Sequence, residues 1–345
     1  VIMKATQKTI LAAVALAAVL VAGIGNPVMG QSKAGTTILP FLKIEPSARN
    51  AALGSASASM YGEALAAYYN PASLGRLPAA QAQFSHSQWL ADIDYNFLIF
   101  ATPLANYGII SLQAISLNSG EIDVTTVEQP LGTGERYTVN DFALGLAYGT
   151  LLTDRVSVGF QVNYMREDIW HSTVTAFGLN VGVQYRISDN GPTFGASISN
   201  FGPRSGFNGR DLYIQYDLDP LRRGDNNDLP AELRTENYAL PTIFRVGISF
   251  PVRFGETNRL LIAVDASHPN DNQESLSMGA EWQIRDMFAL RGGYRELFLE
   301  DSEGGLVLGG GLKLGLSGYN FRLDYAWADY GLLENTQRFT VGFEF

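Results

Sequence analysis

An alternation with a period of two residues runs through most of this chain, from about residue 80 to its end. In the last segment, Phe339, Val341, Phe343 and Phe345 alternate with polar or small residues, and segment 156–164 repeats the pattern. Successive side chains of an extended chain point to opposite faces, so each segment has one apolar face and one polar face. The chain is therefore expected to consist mainly of β-strands.

The distribution of charge along these strands indicates which environment each face meets. Soluble sandwiches also alternate, but here the polar face carries charges in mid-strand and the apolar face carries almost none. Aromatic residues such as Tyr148 and Trp282 stand where the apolar faces end, as in barrels that cross a membrane. The charges predicted to face the lumen are Arg245, Asp265, Glu281, Arg291, Lys313, Arg322 and Asp324.

The number of strands and the lengths of their connections favour a closed barrel over 80–345. Short and long connections alternate, with the longest at 118–140 and 201–240, which we expect to face outward. A sheet in hydrocarbon must close on itself, because each unpaired backbone group there is costly. We therefore predict an all-β membrane protein, a closed antiparallel transmembrane β-barrel of about 14 strands. The predicted strands are 80–87, 94–102, 108–118, 139–149, 156–166, 175–187, 193–200, 241–251, 259–267, 274–284, 287–296, 305–314, 319–328 and 336–345.

Residues 1–30 have the pattern of a cleaved signal peptide. Lys4 and Lys8 precede the apolar stretch Ile10–Ile24, and small residues follow up to Gly30. The alternative, a retained membrane anchor, is disfavoured because the stretch is short for a span. The chain is expected to be exported.

Residues 31–79 interrupt the alternation and are predicted to form a helical or irregular plug. Pro46 suits a helix start and Gly54 a helix stop, while Glu63–Tyr69 is expected to form two helical turns. Fourteen strands enclose more volume than their side chains fill, so this segment is expected to pack inside the barrel. The alternative is an extension lying below the barrel in the periplasm.

The segments Phe41–Arg49, Ala51–Gly54 and Tyr69–Leu74 resemble the opening motifs of the PorV/PorQ family of outer-membrane proteins, a branch of the FadL-like long-chain fatty-acid transporter fold. The resemblance implies a FadL-like barrel with an N-terminal plug, in a host of the Bacteroidota or a related phylum. Ser55 and Ser73 stand where the family often has glycine. The plug residues carried over by the motif are Pro46, Ser47, Ala48, Arg49, Leu53, Gly54, Asn70, Pro71 and Ala72.

The sequence has few residues in positions suited to catalysis. Cysteine is absent, and His86, His171 and His268 lie at or near predicted outward loops, where nearby carboxylates are more often solvated than catalytic. The net charge of −10 argues against nucleic acid as a partner. We predict no enzyme activity, no metal site and no cofactor. Calcium binding by the acidic loop is conceivable but disfavoured; its residues are Asp217, Asp219, Asp225, Asp228 and Glu232.

Three functions are compatible with such a barrel in the outer membrane of a Gram-negative bacterium. The PorV/PorQ resemblance implies a binding or transfer component of type IX-like protein secretion or cell-surface attachment. Its outward loops, and a gap in the wall near Asn96–Thr102, would engage secreted cargo or the attachment machinery. The second function is a FadL-like transporter of hydrophobic small molecules, and the third is a structural subunit of a surface assembly. A transporter needs an apolar pocket between plug and loops, for which the loop residues are Phe207, Leu212, Tyr213, Ile214, Tyr216 and Leu218.

The last strand has a further expected role. In barrels of this type, a terminal aromatic strand resembles the signal that the assembly machinery reads. Here the residues of that signal are Phe339, Val341, Phe343 and Phe345.

Overall fold

The computed structural model describes residues 35–217, 229–255, 257–299, 302–316 and 318–345. The predicted signal peptide therefore lies outside the described residues, as do Leu218 and most of the acidic loop. Within the described ranges, no helix has the length and apolar character needed to cross a membrane.

Fourteen antiparallel strands form one closed sheet, which confirms the predicted barrel. Each strand pairs with the one before it, and the last returns to the first, with Gln81 opposite Glu344 and Gln88 opposite Gln337. The strands are β1 Gln81–Gln88, β2 Asp94–Pro103, β3 Ile109–Asn118, β4 Val139–Leu151, β5 Val156–Ile169, β6 Ser172–Arg186, β7 Thr193–Phe201, β8 Ile243–Phe254, β9 Asn258–Pro269, β10 Ser275–Ile284, β11 Phe288–Leu297, β12 Leu306–Leu316, β13 Tyr319–Asp329 and β14 Asn335–Glu344.

The two faces of the sheet follow the alternation. On β14, Phe339 and Phe343 are 46% and 48% exposed, whereas Arg338 and Thr340 are buried. Aromatic pairs join β14 to β13 on the outer face, including Phe343 with Phe321 at 5.3 Å between ring centroids. The outer surface is thus apolar, and the polar residues face the interior of the barrel.

The connection between β5 and β6 is much shorter than predicted. The sequence predicted a loop over 167–174, but both strands continue until only Trp170 and His171 remain between them. The alternation explains the extension, because Glu167 is buried inside while Asp168 pairs on the outside with Arg166 at 2.7 Å. Charged residues that suggested a loop are strand residues at the outer end of the barrel.

Residues 35–79, called the plug from here on, contact inward-facing side chains around the barrel. The N–H of Ala48 donates to Thr340 of β14, and Ser197 of β7 donates to the carbonyl of Tyr69. The plug contains one α-helical turn, α1 (Ala48–Ala51), and the 3₁₀ helices Pro40–Lys43, Ala64–Tyr68 and Pro71–Arg76.

One helix of the plug is shorter than predicted. The helix expected between Pro46 and Gly54 is a single turn capped by Ser47, which accepts the N–H of Asn50 at 3.2 Å. The helical turns expected over Glu63–Tyr69 are present as a 3₁₀ helix, Ala64–Tyr68. Such short pieces are not stable as α-helices on their own, so contacts with the wall decide their shape.

The gap in the wall expected near Asn96–Thr102 is absent. All eight residues of β1 pair with β2, and β2 pairs with β3 from Asp94 to Pro103. The alternation is weak there because both faces are apolar: Tyr95, Phe97 and Ile99 are fully buried against the plug. The weak alternation in β2 therefore indicates a surface that contacts the plug and not an opening in the wall.

Candidate functional site

The Asn-Pro-Ala element of the plug rests against glycines of the wall. Asn70 caps the helix that follows it by accepting the N–H of Ala72 at 3.0 Å. A Cβ added at Gly159 of β5 would lie 2.3 Å from the carbonyl of Pro71, and one at Gly182 of β6 would lie 1.9 Å from Asn70 Oδ1. These two glycines are directly opposite each other in the sheet. The close approach of plug and wall here depends on the missing side chains.

A second pair of glycines receives the Leu-Gly motif. Gly279 of β10 and Gly293 of β11 are opposite each other, and a Cβ at either would lie within 2.7 Å of the backbone of Leu53 or Gly54. Gly54 has φ +68°, a conformation that favours glycine. The Asn-Pro-Ala and Leu-Gly elements therefore both contact the wall at glycines, where a Cβ would clash with the plug.

Six alternating charges close a ring between the plug and the wall. Arg49 of the plug binds Glu281, which binds Arg291 at 2.6 Å, and Arg291 binds Asp324 at 2.7 Å. Asp324 binds Arg322 at 2.5 Å; Arg322 binds Glu63 at 2.8 Å, and Glu63 returns to Arg49 at 3.7 Å. Three positive and three negative groups balance, and five of the six residues are buried. We call this set the ring of six charges.

Arg49 stays charged within the ring despite its burial. Burial by itself lowers the pKa of Arg49, but the attraction of Glu281 and Glu63 outweighs it and raises the pKa above its usual value. Removing one member of such a network leaves its partners buried with an uncompensated charge, which lowers stability by about 3–5 kcal/mol. The ring therefore fixes α1 to the wall.

The remaining predicted lumen charges lie apart from the ring. Asp265 accepts the N–H groups of Ser57 and Ala58 at 2.7 and 2.6 Å and so holds the middle of the plug. Arg245 donates to Ser199 at 3.3 Å. Lys313 is half exposed and lies 4.0 Å from Glu344. Of the seven predicted charges, four belong to the ring, and sequence reasoning missed its plug carboxylate, Glu63.

Apolar contacts anchor the other side of the plug. Tyr68 meets Phe97 edge to face, with ring centroids 5.8 Å apart, and its hydroxyl donates to the carbonyl of Leu42 at 2.6 Å. Tyr95 donates to the carbonyl of Ile44 at 3.2 Å. The plug is thus held by charges towards β10–β13 and by aromatic packing towards β2.

The described residues border two cavities of about 630 Å³ each in the barrel, and these share no lining residue. The inner cavity is bordered by the ring and by residues of the short turns, such as Arg285 and Asp286. The outer cavity lies between the plug and the outward loops, bordered by Phe41 and Ile44 of the plug and by Trp89 of the loop after β1. The plug therefore separates an inner from an outer compartment.

The loop residues considered for a ligand pocket lie elsewhere. Phe207 and Leu212 border a third cavity, of about 560 Å³, beside Trp170 at the outer end of β5. Tyr213 and Tyr216 belong to a strand, Tyr213–Tyr216, that pairs with Leu229–Glu232. Neither group lines the outer cavity, because the chain after β7 folds back on itself.

The histidines do not line either barrel cavity. His86 is bonded to Asn96 on the outer face of β1 and β2, and His171 to Asp211 in the loops. His268 bonds Glu274, whose pKa is lowered by its own backbone N–H and then by this bond. Within the described part of the chain, no group of three or more residues is suited to hold a metal ion.

The barrel is similar to three solved bacterial proteins. The toluene transporter TodX of Pseudomonas putida has a TM-score of 0.55 at 13% identity, over 87% of this chain and 97% of that one. The toluene transporter TbuX of Ralstonia pickettii gives 0.52 at 11%, over 87% and 98%. A FadL homologue of Pseudomonas aeruginosa gives 0.51 at 11%, over 84% and 95%. The fold is FadL-like.

No family model and no curated protein matches this sequence. The resemblance to the PorV/PorQ family over 41–74 therefore stays a prediction. At identities of 11–13%, the likeness to solved structures establishes the fold and leaves the ligand to be argued from the cavities.

Proposed function

We propose that this chain is an outer-membrane channel for hydrophobic small molecules and that the outer cavity is their first binding site. The observation that carries the proposal is a cavity between the plug and the outward loops, in a FadL-like barrel. Its volume of about 630 Å³ is in the range of small-molecule sites. Lipid of the outer membrane would contact the apolar outer face.

One side of the outer cavity is apolar. Phe41 and Ile44 contribute from the plug, Trp89 and Ile93 from the loop after β1, and Leu117 from the outer end of β3. Binding sites for small molecules typically combine such a surface with a few polar groups that set orientation. An apolar ligand entering from outside meets this surface before it meets the ring of six charges.

A ligand that passes onward from the outer cavity must pass the plug, whose residues border both cavities. The ring and the glycine contacts hold the plug in place, whereas the outer cavity is open to a ligand without any change in them.

Binding to the purified full chain in detergent tests the proposal. Butylbenzene is the probe and isothermal titration calorimetry the measurement. Leu117→Trp fills the outer cavity and is expected to weaken binding by about tenfold or more. Leu112→Trp is the matched control, because Leu112 lies on the same strand but is 57% exposed on the outer face. Equal binding by both variants, or no binding by the unchanged protein, would contradict the proposal.

The secretion and structural-subunit hypotheses stay predictions. The secretion hypothesis depends on the motif resemblance at 41–74 and on the outward loops after β3 and β7. Within the described residues, we find no surface that favours either hypothesis over ligand uptake. Recovery of a secretion-machinery protein or a cargo domain from gently solubilised outer membranes would support secretion.

A further inference from the structure

Two carboxylates stand directly opposite each other in the wall of the outer cavity. Asp141 of β4 pairs in register with Glu167 of β5, and both face inward. They are 6% and 7% exposed. In the same row, Leu117 lies beyond Asp141 and Val174 beyond Glu167, so the carboxylate pair is flanked by apolar side chains.

No cation neutralises this pair within the described part of the chain. The positive residues bordering the cavity are engaged elsewhere: Lys43 with Asp271 at 2.7 Å, Arg295 with Glu296 at 3.5 Å, and Arg245 with Ser199. Among the described residues, the one hydrogen bond to the pair comes from the N–H of Leu39, at 3.2 Å to Glu167. Oδ1 of Asp141 is buried and has no hydrogen-bond partner in that part of the chain.

A third carboxylate, from the plug, borders the same space. Glu45 is 7% exposed, and its Oε2 is buried without a hydrogen-bond partner. It comes from a different part of the chain than the carboxylate pair, and it follows Ile44 of the apolar surface. Glu45 is attracted to Arg295, which borders the same cavity. The cavity therefore combines an apolar side with one carboxylate pair, Asp141 and Glu167, that no ion pair of the described residues neutralises.

Such an arrangement is costly unless something else compensates it. Like charges directly opposite each other in a sheet are destabilising, and a buried ionised group without a partner is more so. Unsatisfied buried polar groups in a native structure call for an explanation such as a bound ion or ligand. An ammonium group offers three donors and one positive charge, which suits two carboxylates with free oxygens.

We infer that the outer cavity selects amphiphiles with an apolar body and a protonated amine, the amine binding between Asp141 and Glu167. The inference rests on the proposed function and names the class of its ligand. The apolar body lies against Leu117 and Ile93, and the ammonium group donates to the carboxylate pair. A fatty acid or another anionic amphiphile is disfavoured at this site, because its carboxylate meets those of Asp141 and Glu167.

Three probes with the same apolar body separate the possibilities: 4-phenylbutylamine, butylbenzene and 4-phenylbutyrate. Each is titrated into the full chain in detergent with EDTA present, which removes divalent cations as competing occupants. The unchanged protein is expected to bind the amine about tenfold or more tightly than the carboxylate. The double variant Asp141→Asn with Glu167→Gln is expected to lose this preference.

Asp168→Asn is the matched control. Asp168 neighbours Glu167 on the same strand but pairs with Arg166 on the outer face, so the control is expected to keep the preference. Heat-modifiable migration in gels checks that each variant is folded. Butylbenzene binding without an amine preference would overturn this inference alone and indicate that the carboxylate pair holds a proton. Failure of all three probes to bind would overturn the proposed function as well.

Discussion

Arg49 and Glu281 are joined by two parallel hydrogen bonds, 2.8 Å from Nε and 2.7 Å from Nη2, between the plug and strand β10. This bidentate geometry is the strongest form of a guanidinium–carboxylate contact. Glu281 is fully buried and also receives Arg291 from the neighbouring strand. The contact therefore ties the position of α1 to the pairing of β10 with β11.

Replacement of that arginine should release the plug. Arg49→Met leaves Glu63 and Glu281 buried with one cation fewer, which should destabilise the seated plug by about 3–5 kcal/mol. Hydrogen exchange of the amides in 47–56 should accelerate. Lys313→Met is the control, because Lys313 is half exposed and only 4.0 Å from Glu344. Unchanged exchange in the Arg49 variant would show that the ring does not hold the plug.

The glycine contacts predict a second way to displace the plug. Gly159→Ala places a Cβ 2.3 Å from the carbonyl of Pro71, and neither backbone can move without disturbing the sheet. We expect residues 70–77 to become accessible to protease and conductance across planar bilayers to rise. Gly310→Ala, whose nearest atom is 3.7 Å away, should change neither measurement. A fully protected plug in the Gly159 variant would refute the close approach.

Shortening the last strand, β14, is expected to prevent assembly of the barrel. Deleting Phe343–Phe345 removes outer-face aromatics and part of the pairing of β14 with β1, including the bond from the N–H of Phe345 to Ala80. The truncated chain should reach the periplasm and fail to insert into the outer membrane, as judged by cell fractionation and gel mobility. Phe288→Ala removes a comparably exposed aromatic from another strand and should insert normally. Normal insertion of the truncated chain would exclude an assembly signal in these residues.

The strands were predictable because alternation is a local property. Phe339, Phe343 and Phe345 show by their spacing alone which face is apolar, and the structure places them on the outer surface. The same reasoning placed Glu281, Arg291 and the other lumen charges on the inward face. It could not identify their partners, since alternation gives the face of a residue and not its position around the barrel.

The plug was less predictable because its shape depends on the wall. Ala64–Tyr68 has the composition of an α-helix, but its amides are bonded to side chains of β1, such as Ala64 to Gln81 at 2.9 Å. Such contacts between distant parts of the chain leave no periodic signal. Glu63 was missed for the same reason, as it lies in no strand.

Glu167 of the outer cavity was missed through an error about a loop. Glu167 was interpreted as a solvated loop residue near His171, whereas β5 continues to Ile169. The alternation could have corrected this error, because Glu167 stands two residues after Met165 and therefore shares its inward face. Asp141 likewise stands an even number of residues before Ala143 and Ala147 on β4, which are both buried, and so faces inward with them.

The glycines that contact Asn70 and Pro71 also make binding of the plug depend on the register of the strands. Gly149, Gly159 and Gly182 stand opposite one another across β4, β5 and β6. A slip of β5 by one residue would turn Phe160 inward at the place where Gly159 admits the plug, since neighbouring residues face opposite sides. The plug can therefore bind inside the barrel only when β4, β5 and β6 are paired in the correct register. A bound plug is evidence that these strands are correctly aligned.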